Sequence, residues 1–266
     1  EARPGHGGGG EFTTGLTARL CSHHKMKAGS AGMIDQGFKI VDFHSHFPVP
    51  TDWSGLRSGT PQRPEGALTS TGGEGRSEAS ETVLKEYAGA LRAEWRLAHG
   101  FDAPEEEERT EEELADRWAS EFDRYPLEKV VFVTGGGNDR LAGIVSRHPD
   151  KFIGFAHHNP FEEGAGDELR RSSETLGLKG YKLIAPALDR PIDDKAAYPT
   201  WEAAADLGIP VLVHFGVLGG GGGIVHHPNM SPLMLHNVAR DFATVPFVIP
   251  HLGCGYVREL LHLMWA

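Results

Sequence analysis

The sequence has few cysteines, few basic residues and no long apolar runs. Only 2 of its 266 residues are cysteine, which excludes a disulfide framework and favours a reducing compartment. Its 37 acidic residues outnumber the 26 basic ones, and the formal charge of -11 argues against binding nucleic acid or an anionic membrane surface. No apolar run approaches the roughly 18 to 20 residues that span a bilayer. We therefore expect a soluble, cytoplasmic protein.

Glycine and small polar residues dominate the first 32 positions. This stretch shows no lasting apolar period, so it cannot bury enough surface to offset the entropy of ordering it. We expect residues 1–32 to be a disordered leader that is not native, and residues 33–266 to form the domain.

Short apolar runs recur along residues 33–266 and alternate with segments of helical spacing. This alternation predicts right-handed βαβ units and a parallel α/β sheet, in which the first strand is buried on both faces. Residues 48–110 interrupt the pattern, and their amphipathic part predicts a helical insertion after the first strand. The predicted strands are 38–47, 129–134, 151–158, 178–184, 209–215 and 246–252.

Histidines fall at the carboxyl ends of the predicted strands, where parallel α/β folds bind their ligands. With a strand period of two, His44 and His46 point to the same side and can reach one metal ion, while Ser45 points away. Asp42 shares the direction of these histidines, and we expect its carboxylate to orient a ligating imidazole. The histidines at strand ends are His44, His46, His157, His158, His214 and His251.

Three segments resemble the amidohydrolase superfamily. They are VDFHSHF, the stretch from GLKGYKLI to LVHFG, and VARDFATVPFVIPHLGCGYVREL. The resemblance is to the amidohydrolase-related branch, which includes aminocarboxymuconate-semialdehyde decarboxylase and the resorcylate decarboxylases. It implies a TIM-type (β/α)8 barrel that holds one divalent metal ion, commonly zinc, with manganese as the alternative.

The resemblance also implies roles for four histidines. His44, His46 and His214 match the family's metal ligands, and His251 matches its general base. Three neutral imidazoles leave an open coordination position, and a metal lowers the pKa of its water towards ~7. The family's fourth ligand, an aspartate after the eighth strand, has no counterpart. Because two more βα units would need roughly 58 further residues, we expect a C-terminally truncated barrel of about six units.

Two further residues are candidates for substrate binding. Lys182 lies inside the fourth strand, where an unpaired ammonium is costly to bury. It could contact a substrate carboxylate, bridge two metal ions or pair with a neighbouring acid. His157 and His158 alternate in direction, so at most one of them faces the barrel interior. Packing of the loop is the first interpretation of this pair, and His158 is the candidate if one of them contacts the substrate.

Three functions fit these features. The first is a metal-dependent hydrolase, in which metal-activated water attacks a carbonyl-type carbon while His251 moves a proton. The alternative is a nonoxidative decarboxylase of an aromatic or enol carboxylate. The third is a fragment without activity. In each active case the partner is a small-molecule substrate, and the resemblance is also compatible with a homodimer.

Overall fold

Six parallel strands alternate with helices along the part of the chain that the computed structural model describes. These residues are 39–49, 109–216 and 227–265, with positions 90, 93, 94, 97, 98 and 100. The strands are β1 (Ile40–His46), β2 (Leu127–Thr134), β3 (Phe152–Gly154), β4 (Tyr181–Ile184), β5 (Val211–His214) and β6 (Phe247–Val248).

The strands form two sheets, ordered β1-β2-β3 and β4-β5-β6, with parallel pairing throughout. A parallel bridge between Ala156 and Tyr181 joins the chain after β3 to β4. The predicted parallel α/β architecture is confirmed, and closure into an eight-stranded barrel stays a prediction.

Six α-helices have their bounds within the described residues. In chain order they are α1 (Glu111–Ser120), α2 (Asn138–Arg147), α3 (Ala165–Glu174), α4 (Tyr198–Leu207), α5 (His236–Asp241) and α6 (Val257–Trp265). Local sequence explains several of the ends. Thr110 and Glu113 form a reciprocal capping box at the start of α1, and Gly208 ends α4 with a φ of 62°, in the left-handed region that glycine tolerates. No helix within the described residues is long and apolar enough to cross a membrane.

Two apolar clusters lie on opposite sides of the strands. Val130 and Phe132 belong to the larger cluster, which also contains residues of the surrounding helices. Val131 and Val133 belong to a smaller cluster with Phe155 and Leu212. Side chains alternate along a strand, so the two clusters lie on its two faces. We call the face of the larger cluster the helix side and the face of the smaller cluster the interior side.

A bulge in β1 changes the predicted direction of Asp42. Asp42 pairs with Val130 and Ser45 pairs with Phe132, so β1 uses three residues where β2 uses two. Ser45 Oγ donates to Asp42 Oδ2 at 2.6 Å, which shows that these two side chains lie together. The prediction that Asp42 and Ser45 point to opposite faces is therefore wrong, because the extra residue shifts the alternation.

The first strand is also less buried than predicted. Ile40, Val41 and Phe43 are 40%, 48% and 39% exposed. Within the described residues β1 pairs with β2 along one edge, and its other edge has no strand beside it. An edge strand buries less apolar surface than a central one, which explains the difference.

Two predicted segments fall mainly or wholly outside the described residues. The predicted leader, residues 1–32, lies entirely outside them. Most of the predicted insertion, residues 48–110, also lies outside the described residues. Its described positions 90, 93, 94, 97 and 98 are helical, in agreement with a helix in its amphipathic part.

Candidate functional site

Four imidazoles lie together beyond the carboxyl ends of β1, β5 and β6. The ring centroid of His44 lies 5.0 Å from that of His46 and 4.7 Å from that of His251. The ring centroid of His214 lies 5.6 Å from that of His251. The structure therefore brings together the three histidines expected to bind metal and the one expected to move a proton. We call these four residues the histidine cluster.

His251 is held in the cluster by a left-handed turn. His251, Leu252 and Cys254 have φ values of 56°, 50° and 40°, and the glycines between and after them also have positive φ. Such values are uncommon for residues other than glycine. Gly216, two residues after His214, packs so closely against the carbonyl oxygens of this turn that a Cβ atom would collide with them. The end of β5 and the His251 turn are thus packed backbone to backbone.

Lys182 lies beside the cluster as a buried ammonium. The residue is 1% exposed, and its Nζ donates to His44 Nε2 at 3.4 Å. Within the described residues no carboxylate lies at ion-pair distance from Nζ. Burial lowers the pKa of Lys182 to about 7. The predicted pairing with a neighbouring acid is therefore not seen in this part of the chain.

Burial and positive charge keep His44 and His46 neutral. Burial, followed by the charge of Lys182, lowers the pKa of His44 to about 3. Desolvation by its neighbours and the same charge lower the pKa of His46 to about 4. Both rings are unprotonated at pH 7, which is the state in which imidazole binds metal ions.

The donor types and ring spacing of the cluster fit a divalent ion. Two imidazoles that bind one tetrahedral ion at about 2.1 Å have ring centroids about 5 Å apart, close to the His44–His46 spacing. His46 Nδ1 contacts Thr134 Oγ1 at 2.7 Å, a contact that leaves Nε2 for an ion.

The ring nitrogens of the histidine cluster do not converge on one ion position. Across residues 39–49, 109–216 and 227–265, no three His, Cys, Asp or Glu side chains are placed to hold an ion. One reason is that His44 Nε2 faces the Lys182 ammonium. An ion that binds through this atom must displace Lys182.

The structure places His158 against α2 and α3, and its contact with a substrate stays a prediction. His158 Nε2 donates to the Ala165 carbonyl at 3.0 Å, and its Nδ1 lies 3.5 Å from Asn138 Nδ2. Both ring nitrogens are therefore occupied on the helix side. His157 is the member of this pair beside the cluster, since the charges of Lys182 and His46 add to burial in lowering its pKa to about 4.

The carboxylate of Asp42 contacts the backbone of the bulge. It accepts hydrogen bonds from the His44 backbone N–H, at 3.1 Å, and from the Ser45 hydroxyl. Its negative charge also opposes the lowering of the His46 pKa, and its role in orienting a ligating imidazole stays a prediction.

Sequence reasoning missed two supporting residues. Thr134 contacts His46, and its position as the polar residue that ends an apolar strand was the available signal. Asn138 accepts from the His157 backbone N–H at 2.8 Å and donates to Glu168 at 2.7 Å. No local pattern indicates this role, because the two contacts join residues 19 and 30 positions apart.

One curated protein and one solved structure are informative comparisons for this chain. The 2-amino-3-carboxymuconate-6-semialdehyde decarboxylase of Dictyostelium discoideum is 31% identical over 99 residues, which cover 36% of this chain and 26% of that protein. The match thus spans about a quarter of the curated relative. The solved structure of 5-carboxyvanillate decarboxylase from Novosphingobium aromaticivorans, which contains manganese, has a TM-score of 0.54 and 17% identity, over 87% of this chain and 70% of that one.

The family assignment rests on a broader match. A TIM-barrel protein of Bordetella bronchiseptica, whose function is uncharacterized, has a TM-score of 0.51 and 22% identity, over 86% of this chain and 72% of that one. At such identities the two structural likenesses show the fold alone. The sequence profile of the family described as amidohydrolase matches residues 41–266. Since this match covers most of the sequence, the chain belongs to the amidohydrolase family.

Proposed function

We propose that the protein is a metal-dependent, nonoxidative decarboxylase of an aromatic or enol carboxylate. The observation that carries this proposal is Lys182, a buried ammonium without a carboxylate partner in the described residues, beside the histidine cluster. A buried cation is costly unless it is paired. An anionic substrate supplies the missing charge.

The relatives and the neutral histidines support this proposal. The curated relative is named as a 2-amino-3-carboxymuconate-6-semialdehyde decarboxylase, and the solved neighbour as a 5-carboxyvanillate decarboxylase. His44, His46 and His214 would hold the ion, either zinc or manganese. When bound, a divalent ion acts as a Lewis acid that polarises an oxygen atom of the substrate.

Lys182 and His251 divide the remaining work. Lys182 Nζ binds the substrate carboxylate and orients its bond to the ring or enol carbon. A ring nitrogen of His251 gives a proton to that carbon, the bond to the carboxylate breaks, and CO2 leaves while the electron pair restores the double bond. Because CO2 is neutral, its loss removes the anion from Lys182 and favours release of the product.

Hydrolysis is the second candidate, and one observation favours it. His251 is exposed to solvent, so its imidazole can take a proton from a water molecule that attacks a carbonyl-type carbon. This is the reaction that the sequence alone places first. Either reaction has a small-molecule substrate, and a homodimer and a cytoplasmic location complete the proposal.

One assay separates the candidates. The protein, supplied with Mn²⁺ or Zn²⁺, is incubated with carboxylated phenols and, separately, with lactones and amides. We expect CO2 release from the acids, without addition of water. Hydrolysis of a lactone or amide without CO2 release would contradict the decarboxylase and support the hydrolase.

The same assay tests for an inactive scaffold. The control is the double variant His44→Ala, His46→Ala, which removes two expected ligands and should abolish both ion binding and turnover. If the protein binds no stoichiometric ion and this variant behaves like wild type, the metal-dependent enzyme is contradicted in favour of the inactive fragment.

A further inference from the structure

One guanidinium is enclosed at the carboxyl ends of β1 and β2. Arg140 lies in the first turn of α2, and its side chain is only 6% exposed. Its Nη2 donates to the Pro48 carbonyl at 3.2 Å, and its Nη1 donates to the Gly135 carbonyl at 2.5 Å. Its Nε donates to the Glu111 carboxylate, at the start of α1, at 2.5 Å. Each nitrogen of the guanidinium thus holds a different part of the chain.

The carbonyls that Arg140 holds lie next to the contact that orients His46. His46 and Thr134 end β1 and β2 and lie opposite each other, and His46 Nδ1 contacts Thr134 Oγ1. The next residue, Phe47, donates its N–H to the Thr134 carbonyl at 2.9 Å. One of the two carbonyls belongs to the residue after Thr134, and the other belongs to the second residue after His46. Arg140 therefore holds both strands within two residues of the His46–Thr134 contact.

The ring of Phe47 is fixed by the same guanidinium. Arg140 Cζ lies 5.6 Å from the centroid of this ring, at a distance typical of a cation–π contact. Phe47 is 1% exposed and belongs to the larger apolar cluster, on the helix side. Because consecutive side chains of an extended segment point to opposite faces, a Phe47 fixed on the helix side directs His46 away from that side.

A second arginine of α2 lies in a different environment. Arg147 pairs with Asp116 of α1 through two hydrogen bonds of 2.6 Å, and the two side chains are 41% and 49% exposed. This pair joins α1 to α2 at the surface and has no printed contact with a strand, whereas Arg140 joins the same two helices to the ends of β1 and β2. Planar donors matched to several acceptors at once are a property of arginine that lysine lacks.

We infer that Arg140 is a positioning residue for His46. It fixes the ends of β1 and β2 so that Thr134 holds the His46 ring at Nδ1 and leaves Nε2 for an ion. The inference rests on the proposed function in taking His46 as a metal ligand. It adds to the site a residue outside the histidine cluster, which acts on the affinity for the ion through two backbone carbonyls and the Phe47 ring.

Amide hydrogen exchange tests this role without a metal ion. NMR of the 266-residue protein in EDTA follows the Phe47 amide, which bonds to β2, and the Phe155 amide, which bonds to the Phe132 carbonyl of β2 at 3.0 Å. We expect Arg140→Met to lower the protection of Phe47 about tenfold and to leave that of Phe155 unchanged. Arg147→Met should change neither amide. Equal losses at both amides would show a general loss of stability and contradict the inference.

Metal affinity tests the effect on the site. In calorimetric titration with Mn²⁺ we expect Arg140→Met to weaken binding about tenfold, as the loss of a residue that orients a ligand does. Arg147→Met should bind as wild type does. Arg140→Lys keeps the charge but not the planar donors, and it should restore part of the affinity. Rescue of this kind is not expected if the arginine only fills space.

A double variant shows whether the effect passes through Thr134. Thr134→Val removes the hydroxyl that contacts His46. If Arg140 acts through this contact, adding Arg140→Met to Thr134→Val should weaken Mn²⁺ binding by less than about twofold further. A full tenfold further loss would show that the two residues act independently and would overturn the inference.

The inference and the proposed function can fail separately. Unchanged protection of Phe47, or unchanged Mn²⁺ affinity, in Arg140→Met refutes the positioning role whether or not the protein releases CO2. A protein that binds Mn²⁺ but releases no CO2 from carboxylated phenols refutes the decarboxylase, and weaker Mn²⁺ binding in Arg140→Met then still supports the positioning role. Failure of wild type to bind Mn²⁺ or Zn²⁺ contradicts the proposed function, and the exchange of Phe47 then decides whether Arg140 holds the strand ends.

Discussion

Lys182 Nζ lies 3.4 Å from Nε2 of His44, the lone pair with which this histidine would bind a metal ion. An ammonium and a divalent cation cannot share one lone pair, and their like charges repel each other at this distance. The Lys182 ammonium therefore competes with a metal ion for His44 Nε2. A negative charge that pairs with Lys182 favours binding of the metal ion.

Removing the ammonium should strengthen metal binding. In Lys182→Met the competing charge is lost while most of the side-chain volume remains. We expect the affinity for Mn²⁺ to rise by about tenfold, equivalent to about 1.4 kcal/mol, as measured by titration calorimetry with Lys179→Met as the matched control. Weaker binding in Lys182→Met would instead show that the amine takes part in holding the ion.

Acid should destabilise the metal-free fold through His157. The unfolded chain takes up a proton on this residue near pH 6.5, but the folded chain does so only near pH 4, because burial lowers the pKa. The unfolded state holds more protons between these values, so stability is present above about pH 6.5 and falls as the pH drops towards 4. The shift corresponds to about 3 kcal/mol, and His44 and His46 act in the same direction.

Urea unfolding between pH 7.5 and pH 4.5, in EDTA, measures this effect. The control is His157→Asn, which cannot titrate in this range and should lose less stability on acidification than wild type. Equal losses in the two proteins would rule out His157 as a source of the acid sensitivity.

The bulge in β1 should depend on the hydrogen bond between Ser45 and Asp42. We expect Ser45→Ala to lower the free energy of unfolding by about 1 kcal/mol, because the hydroxyl is buried and its bond to the carboxylate is lost. Asp42→Asn should cost a similar amount. In urea unfolding, the double variant should lose less than the sum of the two single losses, since they remove the same contact. Strictly additive losses would contradict the coupling.

Gly216 should be intolerant of any side chain. We expect Gly216→Ala to cost roughly 2 to 4 kcal/mol, combining left-handed backbone strain with the collision against the carbonyls of Gly253 and Cys254. Gly208→Ala is the matched control, because Gly208 also has a positive φ but a Cβ there meets no atom within 4 Å. It should cost about 1 kcal/mol. Similar losses in both variants, measured by urea unfolding, would show that the close packing is unimportant.

Periodicity and the positions of the histidines predicted most of the architecture. Alternating apolar runs and helical segments specify parallel βαβ units, and the strands from residue 127 onwards overlap the predicted strands. The clustering of His44, His214 and His251 was predictable, because the carboxyl ends of parallel strands meet on one side of the sheet.

Local departures from regular geometry were not predictable in the same way. The face of Asp42 depends on one extra residue in β1, and a period of two cannot anticipate a bulge. The choice between His157 and His158 depends on the bridge between Ala156 and Tyr181, which is a long-range pairing. The contact between Lys182 and His44 joins residues 138 positions apart, and no local pattern encodes it.

The left-handed turn that carries His251 should open at a lower temperature than the strands. Three of its residues other than glycine occupy a region that costs about 1 kcal/mol or more each. That energy is released as soon as the turn separates from Gly216, whereas His44 and His46 stay attached to a paired strand. Segments with less net stability open first on warming. The proposed catalysis should therefore be lost at a temperature below the one at which the sheets melt.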